Sequence, residues 1–306
     1  MPALVARRSS QQSNRRRAAG VGARVASRSS AFGQMAAATV LQRARADGRA
    51  GIRGRTYATP TRPGRWAPAT GKSAVQPFWG TLRPFAMSGS SSCRPAPPVA
   101  FSTATSSAFR SEALAVRDAA ATMTMDERSS ALFWADLPGR SATPPGHWLQ
   151  LAAQLVRDEA LPLDVAVETM MLAGLAAHDA FVACWEAKYH WNVLRPEAYL
   201  RAHVDAAWTP LLETPSFPEY PSGHSAVSQA VASVLAAQLG DRAFVDRTRV
   251  AAGLGSRAQS SLLDAAEEAA QSRLFGGIHF PMGKSAGLAQ GDCVADAVLG
   301  LLSTTP

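Results

Sequence analysis

The sequence is short of acidic residues at its front, and this shortage locates its positive charge. Residues 1–110 hold 18 Lys and Arg but one acid, Asp47, whereas the rest of the chain carries 13 Lys and Arg against 22 Asp and Glu. The net charge of +8 therefore comes from the front, and the mildly acidic body is unsuited to binding a phosphate backbone. We predict no nucleic-acid function.

Cysteines and long hydrophobic runs are also scarce. The three cysteines, Cys93, Cys184 and Cys293, lie far apart and form no CxxC or Cys/His cluster, so neither a disulfide framework nor a structural zinc site is indicated. The most apolar stretch, Met170 to Trp185, contains His178 and Asp179, and no run reaches the roughly 18 apolar residues of a membrane span. The chain is therefore expected to be soluble and not membrane-spanning.

The front of the chain differs in composition from the body. Residues 1–32 are rich in Arg, Ala, Ser and Gly, which predicts a basic disordered arm or a targeting segment resembling an organelle transit peptide. Residues 33–110 are expected to form a helix, Gly33 to Asp47, followed by a Pro/Gly-rich extended connection from Gly51 to about Ser107.

Residues 111–306 have the three- and four-residue apolar spacing of helices, which predicts an all-α helical-bundle domain. No alternating strand pattern of any length competes. The expected helices are Met125 to Trp134, His147 to Glu159, Leu163 to about Arg195, Ser222 to Leu239, Asp241 to Leu254, Arg257 to Phe275 and Gly283 to Leu302.

Three short segments of this domain carry side chains suited to holding an oxyanion. In the first, Lys188 and Arg195 are seven residues apart, so they would project from one helix face and could share an anion, with Pro196 placing the guanidinium near a helix end. Taken alone, two basic residues at this spacing are more often a solvated face.

The second and third segments pair a histidine with a turn. Tyr-Pro-Ser-Gly-His-Ser, residues 220–225, opens a helix, whose N–H groups and Ser222 hydroxyl could hold an anion beside His224; an ordinary N-cap is the alternative. In Ser-Arg-Leu-Phe-Gly-Gly-Ile-His, residues 272–279, two glycines turn the chain so that Arg273 and His279 can converge.

The order K-x6-R-P, P-S-G-H-S and S-R-x5-H in a helical body resembles the signature of the type 2 phosphatidic acid phosphatase and vanadium-dependent haloperoxidase superfamily. TPPGHW, FPEYPSGHS and SRLFGGIHF are similar to its soluble, bacterial-type haloperoxidase branch, and the likeness extends from about Gly33 to the C-terminus.

The resemblance implies a role for each residue of the three segments. Lys188, Arg195 and Arg273, with the Ser222 hydroxyl and the Gly223 N–H, would bind the oxygens of vanadate or phosphate, because cations and planar guanidinium groups suit such an anion. His279 would bond the vanadium atom or attack phosphorus, and His224 would be the acid–base group.

Two further residues enter by the same resemblance. Asp136 would pair with the anion-binding Arg273, unless it is simply a turn residue. Phe217 would lie near the halide site, unless it is ordinary core packing. Where relatives commonly have an acidic residue four positions after the third-segment histidine, this chain has Gly283, so His279 is expected to lack an orienting acid there.

The signature leaves three functions open. A vanadate-dependent haloperoxidase would use hydrogen peroxide and a halide, and an aromatic residue at Phe217 favours this activity. A soluble acid phosphatase would cleave a phosphate ester through a phosphohistidine at His279 and need no cofactor. A non-catalytic member of the fold is the third. A homo-oligomer is compatible with each.

Overall fold

The computed structural model describes residues 20–303, except Pro138 and Arg140 and the side chain of Ser303. Contacts divide the chain into two units, one ending at Gly51 and the other beginning at Ile52. In the first unit, helix α1 (Ala23–Arg45) buries none of its side chains. A short helix, α2 (Arg49–Ile52), follows and ends at the first residue of the second unit.

The start of α1 corrects one expectation. We predicted a helix from Gly33 and disorder before it, whereas the helix begins at Ala23. Gly22 precedes it, and Ala, Arg and Ser between the two points are compatible with a helix, while a single interior glycine at position 33 costs only about 1 kcal/mol. Residues 1–19 of the predicted disordered arm lie outside the described residues.

The second unit is built of helices, which confirms the all-α prediction. Its helices are α3 (Ala108–Thr122), α4 (Met125–Phe133), α5 (Pro144–Asp158), α6 (Leu163–Trp191), α7 (Pro196–His203), α8 (Gly223–Leu239), α9 (Leu262–Phe275) and α10 (Pro281–Ser303). Polar N-caps begin several of them: Ser107, Thr124, Thr143, Ser222 and Ser261 each accept a hydrogen bond from a backbone N–H in the first turn.

Helix α6 is central to the bundle and packs against α5, α8 and α10, with small Ala side chains in the contact. Among the described residues it is the one helix long and apolar enough to cross a membrane, a test that buried core helices also pass. Helix α8 is covered by α9 and α10. This packing fixes the N-terminus of α8 against the ends of α6, α9 and α10.

Helices α8 and α10 approach closely at two glycines. A Cβ atom at Gly287 would lie 2.6 Å from the Ser222 carbonyl oxygen, and one at Gly291 would lie 2.5 Å from Cβ of Gln229. Any larger side chain would push the helices apart at this contact.

The expected extended connection is largely confirmed, since between Gly54 and Ser107 the structure assigns one short helical turn, Trp79–Thr81. The prediction of no disulfide was wrong: Cys93 in this segment is bonded to Cys293 of α10, with 5.8 Å between their Cα atoms. The two cysteines are 200 residues apart, so only the packing of the segment on α10 could reveal the pair. Cys184 is a free, buried thiol.

Residues 240–261 correct two helix predictions. The α-helix expected from Asp241 to Leu254 is not formed. Two short strands, β1 (Phe244–Asp246) and β2 (Arg257–Gln259), pair antiparallel, and one 3-10 helix, Val250–Ala252, lies between them. The helix expected from Arg257 begins at Leu262 instead. Asp241 accepts the backbone N–H groups of Leu262 and Leu263, so its side chain serves the start of α9 rather than a helix of its own.

Candidate active site

The first predicted segment lies at the end of α6. Lys188 is fully buried in the last turn, and Asn192, in the left-handed conformation, ends the helix. Arg195 follows in an extended conformation directly before Pro196, which places it at a helix end as predicted. The expectation that Lys188 and Arg195 share one helix face was wrong, because Asn192 ends the helix between them.

The Lys188 ammonium is bound by the loop that precedes α8. Its Nζ donates to the carbonyl oxygens of Pro218, Glu219 and Pro221 at 3.1, 2.8 and 2.5 Å. Burial lowers the pKa of Lys188 to about 8. In this arrangement the ammonium holds the loop shape and contributes its charge to the site.

The second segment forms the predicted helix start. Ser222 caps α8, its hydroxyl accepting the Ser225 N–H, and its own N–H donates to the Gly283 carbonyl oxygen at 2.9 Å. Gly223 is the first helical residue, so its N–H belongs to the unpaired positive end of the helix. Both residues are buried.

The third segment turns back after α9. Arg273 is buried in the last turn of the helix, and Gly277 has φ +75°, with a Cβ there meeting Pro210 at 2.9 Å, so only glycine fits this turn. The turn carries His279 to the start of α10. Arg273 donates to the Ala131 carbonyl oxygen and to the Ser272 hydroxyl.

His279 is held on both ring nitrogens. Nδ1 lies 2.6 Å from Oε1 of Glu219, and Nε2 lies 3.2 Å from Nη1 of Arg195. Burial, followed by the charges of Arg195, Lys188, His224 and Arg273, lowers the pKa of His279 well below its ordinary value. The imidazole is therefore neutral at neutral pH, as a ligand or nucleophile must be.

His224 approaches a buried charged network centred on Asp136. Its Nε2 lies 3.3 Å from Oδ2 of Asp136, whose Oδ1 accepts hydrogen bonds from His147 at 2.9 Å and from Arg249 at 2.6 Å. The other nitrogen of His147 lies 2.8 Å from Asp246. The hydrogen bonds of Asp136 thus go to His147 and Arg249, and the expected pairing with Arg273 is not found; Asp136 acts on Arg273 through its charge.

The charges of this network shift the pKa values of its two histidines, His224 and His147, in opposite directions. Burial and the nearby Arg273 lower the pKa of His224 to about 4, against the opposing effect of Asp136. Burial also lowers the pKa of His147, but hydrogen bonds to Asp136 and Asp246 outweigh it and raise the pKa above the ordinary value. His224 is neutral at neutral pH and can accept a proton.

Phe217 lies between the two cations of the first segment. The Arg195 guanidinium carbon is 4.8 Å and the Lys188 Nζ 5.2 Å from the centre of its ring, and Trp185 packs on it at 5.0 Å. The ring shields both cations from one side, and these contacts are cation–π in kind.

The residues present fit a tetrahedral oxyanion. Arg195 Nη2 is buried without a hydrogen-bond partner among the described residues. Burial lowers the pKa values of Arg195 and Arg273 to about 10, so both remain charged at neutral pH. Buried cations with an unused donor are costly unless an anion joins them.

Four residues of the site were missed as site residues by sequence reasoning. Glu219 stands inside the FPEYPSGHS segment, and its position next to the signature was the available signal. His147 lies in TPPGHW, while Asp246 and Arg249 lie where a helix was expected and carried no signal of their own. Each is buried and charged or hydrogen-bonded, which sequence alone does not reveal.

Comparisons with known proteins bear on the family and the fold of the chain. The family profile described as VCPO second helical-bundle domain matches residues 168–305. A solved structure titled the first bacterial vanadium-dependent iodoperoxidase has a TM-score of 0.79 and 36% sequence identity, covering 84% of this chain and 64% of that chain.

More distant likeness supports the fold. Holo-type and apo-type bacterial vanadium-dependent chloroperoxidase structures match with TM-scores of 0.63 and 0.61, each at 18% identity. These cover 82% and 81% of this chain and 64% and 66% of those chains. The comparison with curated proteins gave no match. The chain spans less than two thirds of the length of the solved relatives that it matches.

The fold and the matched family profile both describe the helical bundle that these vanadium enzymes have in common. The chain belongs to the vanadium-dependent haloperoxidase superfamily, as the sequence resemblance predicted.

Proposed function

We propose that this protein is a vanadate-dependent haloperoxidase that oxidises a halide with hydrogen peroxide. The observation that carries the proposal is the position of His279 Nε2, which accepts a hydrogen bond from Nη1 of Arg195 at 3.2 Å, while Nη2 of the same guanidinium has no partner among the described residues. A bond to the central atom of an anion would replace this hydrogen bond, because a neutral imidazole has one nitrogen lone pair to share. To bind an oxyanion such as vanadate, a site needs cationic donors for the oxygens and an electron-pair donor for the central atom, and Arg195 and His279 bring the two together.

Five groups would hold the anion. Arg195 and Arg273 would bind its oxygens, with the Ser222 hydroxyl and the Gly223 N–H at the positive end of α8, and His279 Nε2 would bond the central atom. Lys188 would add positive charge from behind the loop. Bound vanadate would supply a Lewis acid that activates peroxide without changing oxidation state.

His224 would accept the proton that hydrogen peroxide loses on binding. Its low pKa keeps it neutral, and the nearby Asp136 carboxylate would stabilise the imidazolium that forms. Phe217 would form one wall of the halide pocket, where its ring excludes water from the side of the two cations.

A soluble acid phosphatase is the second candidate, because the same Nε2 lone pair could attack phosphorus while His224 protonates the leaving group. Vanadate would then inhibit, and no cofactor would be needed. The 36% identity to an iodoperoxidase supports the haloperoxidase.

The deciding experiment loads the purified protein with orthovanadate and measures peroxide-dependent iodination and bromination of a small diketone at mildly acidic pH. We expect turnover that requires vanadate and is abolished in His279→Ala, but is kept in Lys284→Ala, which removes a surface ion pair with Glu267. Vanadate-inhibited cleavage of an aryl phosphate without halogenation would assign the phosphatase instead. Wild-type activity in His279→Ala would contradict both.

A further inference from the structure

The partner of His279 comes from an unexpected part of the chain. Glu219, in the loop before α8, is fully buried, and its Oε1 accepts the Phe280 backbone N–H at 3.1 Å and faces His279 Nδ1 at 2.6 Å. A guanidinium has donors only, so Nε2 of His279 must accept from Arg195. The ring proton is therefore on Nδ1 and is donated to Glu219.

The start of α10 leaves room for this carboxylate. A Cβ atom at Gly283 would lie 2.1 Å from Oε1 and 2.8 Å from Cδ of Glu219, so a side chain at this position would require the Glu219 carboxylate to move. The space that a side chain at position 283 would occupy is filled by a carboxylate from another element.

We propose that Glu219 is the positioning residue of His279. Glu219 holds the Nδ1–H tautomer of His279 and so keeps the Nε2 lone pair on the side of the anion site. Its carboxylate also makes the imidazole a better electron-pair donor to the bound group. The glycine at 283 is the condition that admits it. The inference rests on the proposed oxyanion site, but its central test is made without vanadate.

The first test is the tautomer of His279 in protein labelled with ¹⁵N-histidine, the signal being assigned from a His279→Gln variant. We expect a protonated Nδ1 and an unprotonated Nε2 in the wild type. In Glu219→Ala the Nε2–H form should become populated, whereas Glu219→Gln retains an oxygen acceptor and should keep the wild-type tautomer. A wild-type His279 protonated on Nε2 would overturn the proposal.

The second test is vanadate affinity, measured by titration calorimetry. Glu219→Ala should weaken binding about 10- to 100-fold, as expected for loss of the group that orients a ligand histidine. The double variant Glu219→Ala/Gly283→Asp should recover part of the loss, because the vacated space admits an acid from α10. Glu112→Gln is the matched control, since this half-buried carboxylate accepts the Met282 N–H of the same helix turn without touching His279.

The outcomes separate the two proposals. If the wild type binds vanadate and Glu219→Ala binds it as tightly as Glu112→Gln does, with the Nδ1–H tautomer unchanged, Glu219 has no positioning role. If the wild type does not bind vanadate, the proposed function fails, and the comparison of the His279 tautomer in the folded wild-type and Glu219→Ala proteins still decides the role of Glu219.

Discussion

His147 is the residue whose buried charge should be visible in the stability of the protein. It is fully buried between Asp136 and Asp246, and its raised pKa means that the folded state favours the imidazolium. Its contribution is complete below the ordinary histidine pKa of 6.5 and is lost as the pH rises through the higher folded value. Asp246, with a lowered pKa, loses its contribution as the pH falls below 3.8.

We therefore expect His147→Gln to lower the free energy of unfolding most between pH 3.8 and 6.5, by about 3 kcal/mol, with a smaller difference above neutral pH. Urea unfolding of both proteins from pH 5 to 9 measures this. The exposed His190 offers the control His190→Gln, which should change stability little at any pH. A loss that is constant across the range would mean that His147 is neutral in the folded protein.

At the same scale, the sequence indicated the residues that we propose to face the anion, but not the residues that orient them. Ser222, His224, Arg273 and His279 could be chosen because each stands in a short motif whose turn or helix start is local. Glu219 could not be chosen in this way, because its contact with His279 depends on the absence of a side chain at Gly283, 64 positions away. Local signals identify groups that face an anion, whereas the groups that orient them are selected by tertiary packing.

At the scale of elements, apolar periodicity predicted most of the helices, including the short α4 to within one residue, but it missed α3 and α7. Helix α6 was expected to run to Arg195 and ends at Trp191, while α8 lies within one residue of its prediction. The helix predicted for residues 241–254 was wrong because polar side chains in this range form contacts with other elements. Asp246 binds His147, and Arg249 binds Asp136. The disulfide was not predicted for a similar reason, since Cys93 and Cys293 are close together only in the folded chain.

The contact of α10 with α8 should control the anion site from outside it. In Gly287→Ala the new methyl group would meet the Ser222 carbonyl oxygen and Ser225 Cβ, each at 2.6 Å, so α10 must move from the start of α8. We expect a loss of about 1–3 kcal/mol in the free energy of unfolding and weaker vanadate binding, because Ser222 and Gly223 shift together.

The matched control is Gly174→Ala in α6, where an added Cβ meets no atom within 4 Å. It should leave vanadate affinity unchanged and stabilise the protein by up to about 1 kcal/mol, the difference in helix propensity. Denaturant unfolding and calorimetric titration of the two variants make the comparison. Equal vanadate affinity in both would show that the α8–α10 contact does not position the site.

At the scale of the whole molecule, every candidate site residue lies in the unit that begins at Ile52, and α1 buries no side chain. We propose that the basic residues 1–32 serve targeting and take no part in the chemistry.

A chain of residues 52–306 should then bind vanadate as the full-length protein does. A ligand at 100 times its dissociation constant stabilises the folded state by about 2.7 kcal/mol, which raises Tm by a few degrees in a domain of this size. Both proteins should show the same rise when orthovanadate is added, and His279→Ala of either length should show none. A shorter chain that folds but loses this rise would place part of the anion site in the front unit.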